Sequence, residues 1–266
     1  MTDSYTFHKG ELPLLISVPH DGRLLPPDVE ALMSEAARSI PDTDWYVAEL
    51  YEFAKELGAS IIAANYSRYV VDLNRPADDA ALYAGQVATG VCPLKTFAGE
   101  EIYSGDVTVD TESRINTFWR PYHDKIEATL NELRKDHGYA LLWDAHSIAS
   151  RVPALFDGEL PVLNIGTWDG RSCDKKIADA VVQAAMASPY DAVLNARFKG
   201  GYSTRRYGQP EHNIRAIQLE IAQRAYMDEV TTAYDADKAS QLRDSLRCML
   251  DAFTKTAADN VVIMRG

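Results

Sequence analysis

The sequence contains little cysteine and no apolar run long enough to cross a bilayer. Its three cysteines are scattered and form no CxxC pair, which argues against a disulfide framework or a cysteine-rich zinc site. No window approaches the roughly 18 apolar residues that a membrane span requires. The first residues also lack the basic and apolar regions of a secretion signal. We therefore expect a cytoplasmic protein with no membrane association.

Positive charge is also scarce in this chain. Its 266 residues include 27 Lys and Arg against 39 Asp and Glu, so the formal net charge is −12. Such a surface repels phosphate backbones and anionic lipid head groups, which argues against binding to nucleic acid or to a membrane surface. Any anion that the protein binds must therefore be held by a local cluster of cationic side chains.

The remaining composition is that of an ordinary globular protein. Hydrophobic residues make up 46% and charged residues 25% of the chain, enough for a sizeable core. We find no internal repeat and no low-complexity linker. The sequence therefore predicts a single domain spanning residues 1–266, although its length would also allow two.

Apolar runs of strand length alternate with amphipathic helical patterns, and several of the runs are continuously apolar, as in strands covered on both faces. The predicted strands are 14–19, 61–66, 69–73, 140–143, 162–165, 192–194 and 216–221. The predicted helices are 27–39, 43–57, 114–135, 174–187 and 236–254. This alternation predicts an α/β fold with three α/β/α layers around a mostly parallel mixed sheet.

Two stretches fit neither pattern. Residues 76–111 form a long segment with weak periodicity, and segments of that length are usually functional or disordered. We expect this stretch to close over the site. Residues 197–210 hold three glycines and four cationic residues but no acid, which predicts a flexible loop that captures an anion.

Chemically capable side chains follow the apolar runs, where ligands bind in open α/β sheets. His20 follows the run at 14–19, His146 follows the run at 140–143, and Glu220 lies inside an otherwise apolar strand. Asp44 begins a predicted helix, and from its spacing alone a helix-capping carboxylate is the simpler interpretation. Asp144 shares a strand face with His146 and is placed to support its imidazole. Two histidines, one aspartate and a nearby glutamate match a hydrolytic zinc site.

At these residues the sequence resembles the N-formylglutamate amidohydrolase family. The matching motifs occur in order along nearly the whole chain: SVPHDG at 17–22, DTDW at 42–45, SRYVVDLNRP at 67–76, WRPYH at 119–123, LLWDAHSIAS at 141–150, KGGYSTRRYGQP at 199–210 and AIQLEIAQRAYM at 216–227. The family is distantly similar to zinc carboxypeptidases and succinylglutamate desuccinylases, which implies a carboxypeptidase-like fold. One departure is Arg215, where a histidine is common in relatives.

The resemblance implies roles for particular residues. His20, Asp44 and His146 would bind one divalent metal ion, zinc by preference, with Asp42 a poorer candidate for the carboxylate ligand. Glu220 would be the catalytic glutamate. The implied reaction hydrolyses N-formyl-L-glutamate to formate and L-glutamate, a step of histidine degradation.

The substrate that the resemblance implies is a small dicarboxylate, which would need two groups of cationic side chains to bind it. Asn74 and Arg75, helped by Arg68, would hold one carboxylate, and Arg205 or Arg206 would hold the other, because the planar guanidinium binds carboxylates bidentately. Internal or surface ion pairing remains an equal alternative for Arg68 and Arg206.

Three other interpretations stay open at this point. The acyl group could be acetyl, succinyl or a peptide, because sequence does not show the size of the pocket. The chain could also be a non-catalytic dicarboxylate-binding protein, although such a protein has no need of a base beside two histidines. A phosphate-binding protein could use the cationic loop, but no P-loop accompanies it. The metal could equally be Co²⁺, Mn²⁺ or Fe²⁺, and sequence does not fix the oligomeric state.

Overall fold

The computed structural model describes residues 2–80 and 90–265, whose strands form one seven-stranded sheet. The strands are β1 (Tyr5–His8), β2 (Leu14–Val18), β3 (Ser60–Ala64), β4 (Ala140–Ile148), β5 (Leu163–Gly166), β6 (Ala192–Leu194) and β7 (Ile214–Ala222). Their order across the sheet is β1-β3-β2-β4-β7-β5-β6. Strands β3, β2, β4 and β7 run parallel, as do β5 and β6, whereas β1 and the β5–β7 pairing are antiparallel. The predicted mostly parallel mixed sheet is confirmed.

Helices cover both faces of the sheet. Their bounds are α1 (Pro27–Glu30), α2 (Glu35–Arg38), α3 (Val47–Leu50), α4 (Phe53–Glu56), α5 (Thr111–Arg114), α6 (Arg120–His137), α7 (Lys175–Met186), α8 (Tyr202–Tyr207) and α9 (Ala236–Arg265). A π-helical turn at Ile115–Trp119 joins α5 to α6. Helices α3, α4, α7 and α9 share one hydrophobic core with the sheet, and α1, α2 and α6 share a second core on the opposite face. The α/β/α layering is therefore the predicted one. No helix among the described residues is long and apolar enough to cross a membrane.

On one face of the central strands β4 and β7, the side chains change from apolar to polar along the strand. Trp143 and Leu219 point into the first core, as alternation requires. On the other face the strands begin with core residues, Leu142 and Ala216, and then become polar towards their carboxyl ends. The polar residues on this face are Asp144, His146, Gln218 and Glu220, all buried. The sheet therefore carries a polar, chemically capable patch at the place where open α/β sheets bind ligands.

Two predicted helices are shorter than expected. The pattern at 43–57 forms only the single turns α3 and α4. Tyr46 adopts a left-handed backbone with φ 62°, so residues 43–46 stay outside the helix. The pattern at 27–39 also divides into α1 and α2, because Met33 pairs with Tyr103 and Ser34 caps the second turn. In both places tertiary contacts override a helical periodicity.

The predicted strand at 69–73 is wrong. These residues form buried turns, and the carbonyl oxygens of Tyr69 and Val70 accept hydrogen bonds from the Arg114 guanidinium rather than from a neighbouring strand. An apolar run can therefore be buried without pairing, provided a side chain satisfies its backbone. Strand β1, which has a half-exposed pattern, was not predicted.

The two stretches without periodicity differ from expectation. Within 197–210, residues 202–207 fold as α8 rather than as a flexible loop. Of the segment 76–111, residues 81–89 lie outside the described residues, so its predicted closure over the site stays a prediction. The part after residue 90 packs against the turns near residue 70, where the Asp72 amide donates to the Val91 carbonyl at 2.7 Å.

Arg215 lies at the amino-terminal end of β7, and we expect its loss to affect stability alone. Its buried guanidinium donates to Asp174 at 2.7 Å, next to the start of α7. The Arg215→Leu variant leaves Asp174 without this partner, and we expect the free energy of unfolding in urea to fall by about 1–3 kcal/mol.

The matched control is Lys175→Met, which removes an exposed cation from the same helix. We expect it to change stability by less than about 0.5 kcal/mol. Five residues of strand, about 16 Å, separate Arg215 from Glu220, so the folded variant keeps its turnover. A loss of turnover at unchanged stability would contradict this assignment.

Candidate metal centre

His20, Asp44 and His146 come together at the carboxyl ends of β2 and β4. One potential ligand atom from each residue lies within 4.8 Å of the others, and all three side chains are buried. The Nδ1 atom of His146 lies 3.1 Å from Asp44 Oδ2, and Nδ1 of His20 lies 3.7 Å from the same oxygen. We call these three residues the His–Asp–His cluster. Two imidazoles and one carboxylate form the type of donor set that binds zinc.

The end of β2 positions the loop that carries Asp44. The Asp44 amide donates to the carbonyl oxygen of His20 at 3.1 Å. The buried Asp21 carboxylate accepts hydrogen bonds from the amides of Tyr46 at 3.1 Å and Ala48 at 3.0 Å, at the start of α3. The segment SVPHDG thus supplies one cluster residue and anchors the loop of another.

Each imidazole has a carboxylate at its distal nitrogen. Asp72 Oδ1 lies 2.8 Å from Nε2 of His20, and Asp144 Oδ1 lies 3.3 Å from Nε2 of His146. The Asp72 carboxylate favours a proton on Nε2 of His20, which leaves the Nδ1 lone pair of that ring directed at the cluster. The spacing of Asp144 and His146 predicted the second contact. The role of Asp72 was missed, although its place in the motif at 67–76 was a usable signal.

The electrostatics of the cluster favour the binding of a cation. Burial raises the pKa of Asp44, but the charge of His20 and the contacts with His146 outweigh it, so the pKa lies well below its usual value. Burial lowers the pKa of His146, but the carboxylates of Asp144 and Asp44 hold it well above the usual value. The site therefore favours positive charge between its ligand atoms. A divalent metal ion fits this donor set.

Glu220 stands opposite His146 on the neighbouring strand. The two residues are direct partners in the β4–β7 register, so their side chains lie on the same face of the sheet. Burial raises the pKa of the Glu220 carboxyl to about 8. A buried carboxyl with a raised pKa beside a candidate metal centre is what general acid–base chemistry needs.

Arg68 forms ion pairs with the carboxylates around the cluster. Its guanidinium donates to Asp72 at 2.8 Å and lies 3.5 Å from Asp44 Oδ1. The guanidinium also lies over the Phe97 ring, 4.9 Å from its centroid. These contacts correspond to the ion-pairing alternative given above for Arg68, and its contact with substrate stays a prediction.

Asn74 links the cluster to the glycine-rich segment. Its amide nitrogen lies 3.0 Å from His146 Nε2, and its carbonyl oxygen accepts a hydrogen bond from the Ser203 amide at 2.9 Å. A Cβ atom at Gly201 would overlap the Asn74 amide, so glycine is required for this close approach. The structure thus brings Asn74 to the cluster.

The remaining cationic candidates lie in two different places. Arg75 is next to Asn74. Burial raises the pKa of Asp72, but His20, Arg68 and, to a smaller extent, Arg75 hold it well below its usual value. The Nε of Arg205 donates to the Gly200 carbonyl at 2.8 Å. Arg206 is half-exposed and lies 3.6 Å from Glu127 on α6, on the outer surface. The structure does not bring Arg206 to the cluster, because successive residues of α8 point in different directions.

Asp42, the poorer candidate ligand, is not part of the cluster. Its carboxylate accepts hydrogen bonds from the Tyr69 hydroxyl at 2.6 Å and the Phe97 amide at 2.8 Å. It therefore joins the loop before Asp44 to two neighbouring segments.

Two aromatic side chains that sequence analysis did not place in the site hold the loop that carries Asn74. His123 Nε2 donates to the Leu73 carbonyl at 2.8 Å, and the Trp119 indole donates to the Arg75 carbonyl at 2.9 Å. Burial lowers the pKa of His123 to about 4, so the ring is neutral. Both residues belong to the motif WRPYH, which was the available signal.

An α/β sheet with a buried His–Asp–His cluster and a perturbed carboxyl at its strand ends defines a protein of the hydrolase class. Residues 12–227 match the model of the N-formylglutamate amidohydrolase family. The chain belongs to this family.

Individual relatives agree with this assignment. The chain is 48% identical to the N-formylglutamate deformylase of Pseudomonas putida, over 96% of this chain and 97% of that protein. It is 49% identical to the N-formylglutamate deformylase of Pseudomonas aeruginosa, over 95% and 96% of the two chains. The crystal structure of N-formylglutamate amidohydrolase from Ralstonia eutropha has the same fold, with a TM-score of 0.82 at 24% identity over 95% of this chain and 98% of the other.

The His–Asp–His cluster predicts how metal binding responds to mutation. After dialysis against zinc, we expect elemental analysis to find about one ion per wild-type chain and almost none in the His146→Ala variant, because the variant loses one of three ligands.

His123→Ala is the matched control, because it also removes a buried imidazole near the site but leaves the cluster intact. It is expected to keep its metal. Equal metal content in folded His146→Ala and wild type would show that the ion binds elsewhere.

Proposed function

We propose that the protein is a metal-dependent deformylase that hydrolyses N-formyl-L-glutamate to formate and L-glutamate. The observation that carries the proposal is the His–Asp–His cluster with Glu220 on the adjacent strand, in a member of this amidohydrolase family. The names of the two Pseudomonas relatives support this substrate. In a cell, the reaction would release glutamate at the end of histidine degradation in the cytoplasm. The whole chain would act as one catalytic domain on a small dicarboxylate.

His20, Asp44 and His146 would hold the metal ion, with zinc as the proposed metal. The ion supplies Lewis acidity, which polarises a carbonyl group and makes water more acidic. The Asp72 carboxylate would keep the His20 imidazole oriented with Nδ1 towards the cluster, and the Asp144 carboxylate lies 3.3 Å from Nε2 of His146. The nearby Arg68 offsets part of the negative charge that these buried carboxylates accumulate.

Glu220 is the proposed general base and acid. Its ionised carboxylate takes a proton from water as the water oxygen bonds to the formyl carbon. The same carboxyl group then gives that proton to the departing amino nitrogen of glutamate as the C–N bond breaks. A divalent cation nearby favours the ionised carboxylate, so the pKa of about 8 falls when the cluster is loaded. Proton transfer of this kind contributes about 10²–10⁴-fold to rate.

The two substrate carboxylates require cationic partners near the cluster. Arg75 with Asn74 is the proposed partner for one of them, because Asn74 already contacts His146. Arg205, which lies in α8 and donates to the Gly200 carbonyl, is proposed for the other. Arg68 forms ion pairs with Asp72 and Asp44. Its proposed contribution to substrate binding is indirect, because it reduces the negative charge of those carboxylates.

The Glu220→Gln variant tests the chemical step. We expect formate release from N-formyl-L-glutamate to fall by about 10²–10⁴-fold, because the amide cannot accept the water proton. Metal content stays at the wild-type level, because Glu220 is not one of the three proposed ligands.

The matched control is Glu211→Gln, which removes an exposed carboxylate before β7 and is expected to keep full activity. Full activity of Glu220→Gln would rule out the general-base role. Metal-loaded wild-type protein that releases acetate from N-acetyl-L-glutamate but no formate from N-formyl-L-glutamate would overturn the proposed substrate.

Variants of Arg75 and Arg206 test which guanidinium group binds a carboxylate of the substrate. Arg75→Ala is expected to raise KM for N-formyl-L-glutamate about 10-fold or more, because a charged hydrogen-bond partner is lost. Arg206→Ala is expected to leave KM unchanged, because its guanidinium faces Glu127. Steady-state kinetics on both variants measure the difference, and the reverse ranking would contradict the proposed carboxylate site.

A further inference from the structure

The peptide carbonyls on either side of Asp44 are both held by side chains that follow β7. The Gln223 amide donates to the Thr43 carbonyl at 2.9 Å, and the Tyr226 hydroxyl donates to the Trp45 carbonyl at 2.7 Å. Gln223 begins a short 3₁₀ turn at Gln223–Ala225, and Tyr226 follows it directly. The turn comes three residues after Glu220, so one segment supplies the candidate base and holds the Asp44 loop.

Ser147 connects these two contacts. Its hydroxyl oxygen lies 2.7 Å from the Tyr226 hydroxyl and 3.3 Å from the Gln223 amide nitrogen. We call Gln223, Ser147 and Tyr226 the Asp44 clasp. All three side chains are buried.

The hydrogen bonds of the clasp form one network. The Trp45 carbonyl can only accept, so Tyr226 donates to it. The Tyr226 and Ser147 hydroxyls lie within hydrogen-bond distance of each other, and the Ser147 oxygen accepts from the Gln223 amide. The Gln223 amide also donates to the Thr43 carbonyl. The clasp therefore connects the two peptide groups that flank Asp44.

The clasp also connects Asp44 to His146. Ser147 is the residue after His146 on β4, and its amide donates to Asp44 Oδ2 at 3.0 Å. The same residue thus donates to the Asp44 carboxylate through its amide, and its hydroxyl contacts the two side chains that hold the neighbouring carbonyls. Two members of the His–Asp–His cluster are fixed relative to each other at this point.

The loop needs such support because it has no regular structure of its own. Asp44 lies between the end of β2 and the single turn α3, and the left-handed φ of 62° at Tyr46 is unfavourable for a bulky residue. Side chains that over-determine a strained segment keep it in place. Without the clasp, Asp44 would have to be ordered at the moment of metal binding, which lowers affinity.

We propose that Tyr226 is a positioning residue for Asp44, and that the clasp preorganises the metal centre before the ion binds. This inference rests on the proposed function, because it takes His20, Asp44 and His146 as the metal ligands. Tyr226 does not touch the reacting atoms. Loss of a residue that orients a metal ligand typically weakens metal affinity about 10–100-fold.

Tyr226→Phe is a sharper test than a change at Gln223. A cavity of about 200 Å³ is lined by Thr43, Ser147 and Gln223, so water can replace the Gln223 amide. Tyr226 is fully buried and does not line this cavity. Trp45 does not line the cavity either, so removal of the Tyr226 hydroxyl leaves the Trp45 carbonyl without this donor.

The experiment measures zinc affinity by competition with a chromogenic chelator, using the full-length chain. Tyr51→Phe is the matched control, because it also removes a fully buried tyrosine hydroxyl, one that accepts from the Trp143 indole at 2.8 Å in the core. We expect Tyr226→Phe to weaken zinc binding about 10–100-fold, and Tyr51→Phe to leave it unchanged. At saturating zinc, formate release by Tyr226→Phe stays near the wild-type level, because the base and the ligands are intact.

A second readout separates positioning from general destabilisation. In a double-mutant cycle with Ser147→Ala, the losses in zinc affinity are expected to be far from additive, because both hydroxyls belong to one chain of hydrogen bonds. Equal zinc affinities for Tyr226→Phe and Tyr51→Phe would overturn the inference, and so would strictly additive losses. Tight zinc binding by a wild-type protein that releases no formate would overturn the proposed substrate alone.

Discussion

Three carboxylates buried at the carboxyl ends of the central strands require compensating positive charge, and the arrangement of the site follows from this requirement. Asp44, Asp72 and Asp144 are at most 1% exposed. Buried charges of one sign are costly unless they are paired or bind a metal. Arg68 pairs with Asp72 and Asp44, and the two imidazoles lie between the carboxylates. Burial lowers the pKa of His146, but the carboxylates of Asp144 and Asp44 hold it well above its usual value, so the cluster favours positive charge. A divalent cation bound by the cluster would supply that charge.

This requirement explains why the loops of the site are held by side chains rather than by regular structure. The proposed metal-ligand and substrate-binding residues converge from separate segments, and Asp44 and Asn74 lie on irregular backbone whose peptide groups are buried. Each buried carbonyl then needs its own donor. The carbonyls around Asp44 receive theirs from Gln223 and Tyr226, and those around Asn74 receive theirs from His123 and Trp119. The second pair depends on the π-helical turn that precedes α6, and such turns often occur at functional sites.

Sequence patterns predicted the parts of the molecule that depend on local order. The continuous apolar runs correctly indicated β2, β4 and β7, and the alternation within β4 placed Asp144 and His146 on one face. Patterns could not show which buried backbone is paired by another strand and which by a side chain, so the run at 69–73 was mistaken for a strand. They also could not show the direction of a side chain at the end of an irregular loop. Adjacent arginines on α8 looked equivalent in sequence, yet Arg206 faces Glu127 on the surface. The pairing of Asp72 with His20 joins residues 52 positions apart, which no local pattern contains.

The net charge of −12 repels anions, whereas the proposed substrate is a dicarboxylate that the site must attract. Long-range repulsion between exposed charges is screened beyond about 8–10 Å at physiological ionic strength, so the acidic surface acts weakly on a substrate already inside the site. Inside the site, the nearby charges determine whether the substrate is attracted or repelled. Arg68 forms ion pairs with Asp72 and Asp44. A bound cation, Arg75 and Arg205 are the proposed sources of attraction. The metal centre would then contribute to substrate capture as well as to the chemical step, because without an ion the buried carboxylates would repel the anion that the protein is proposed to bind.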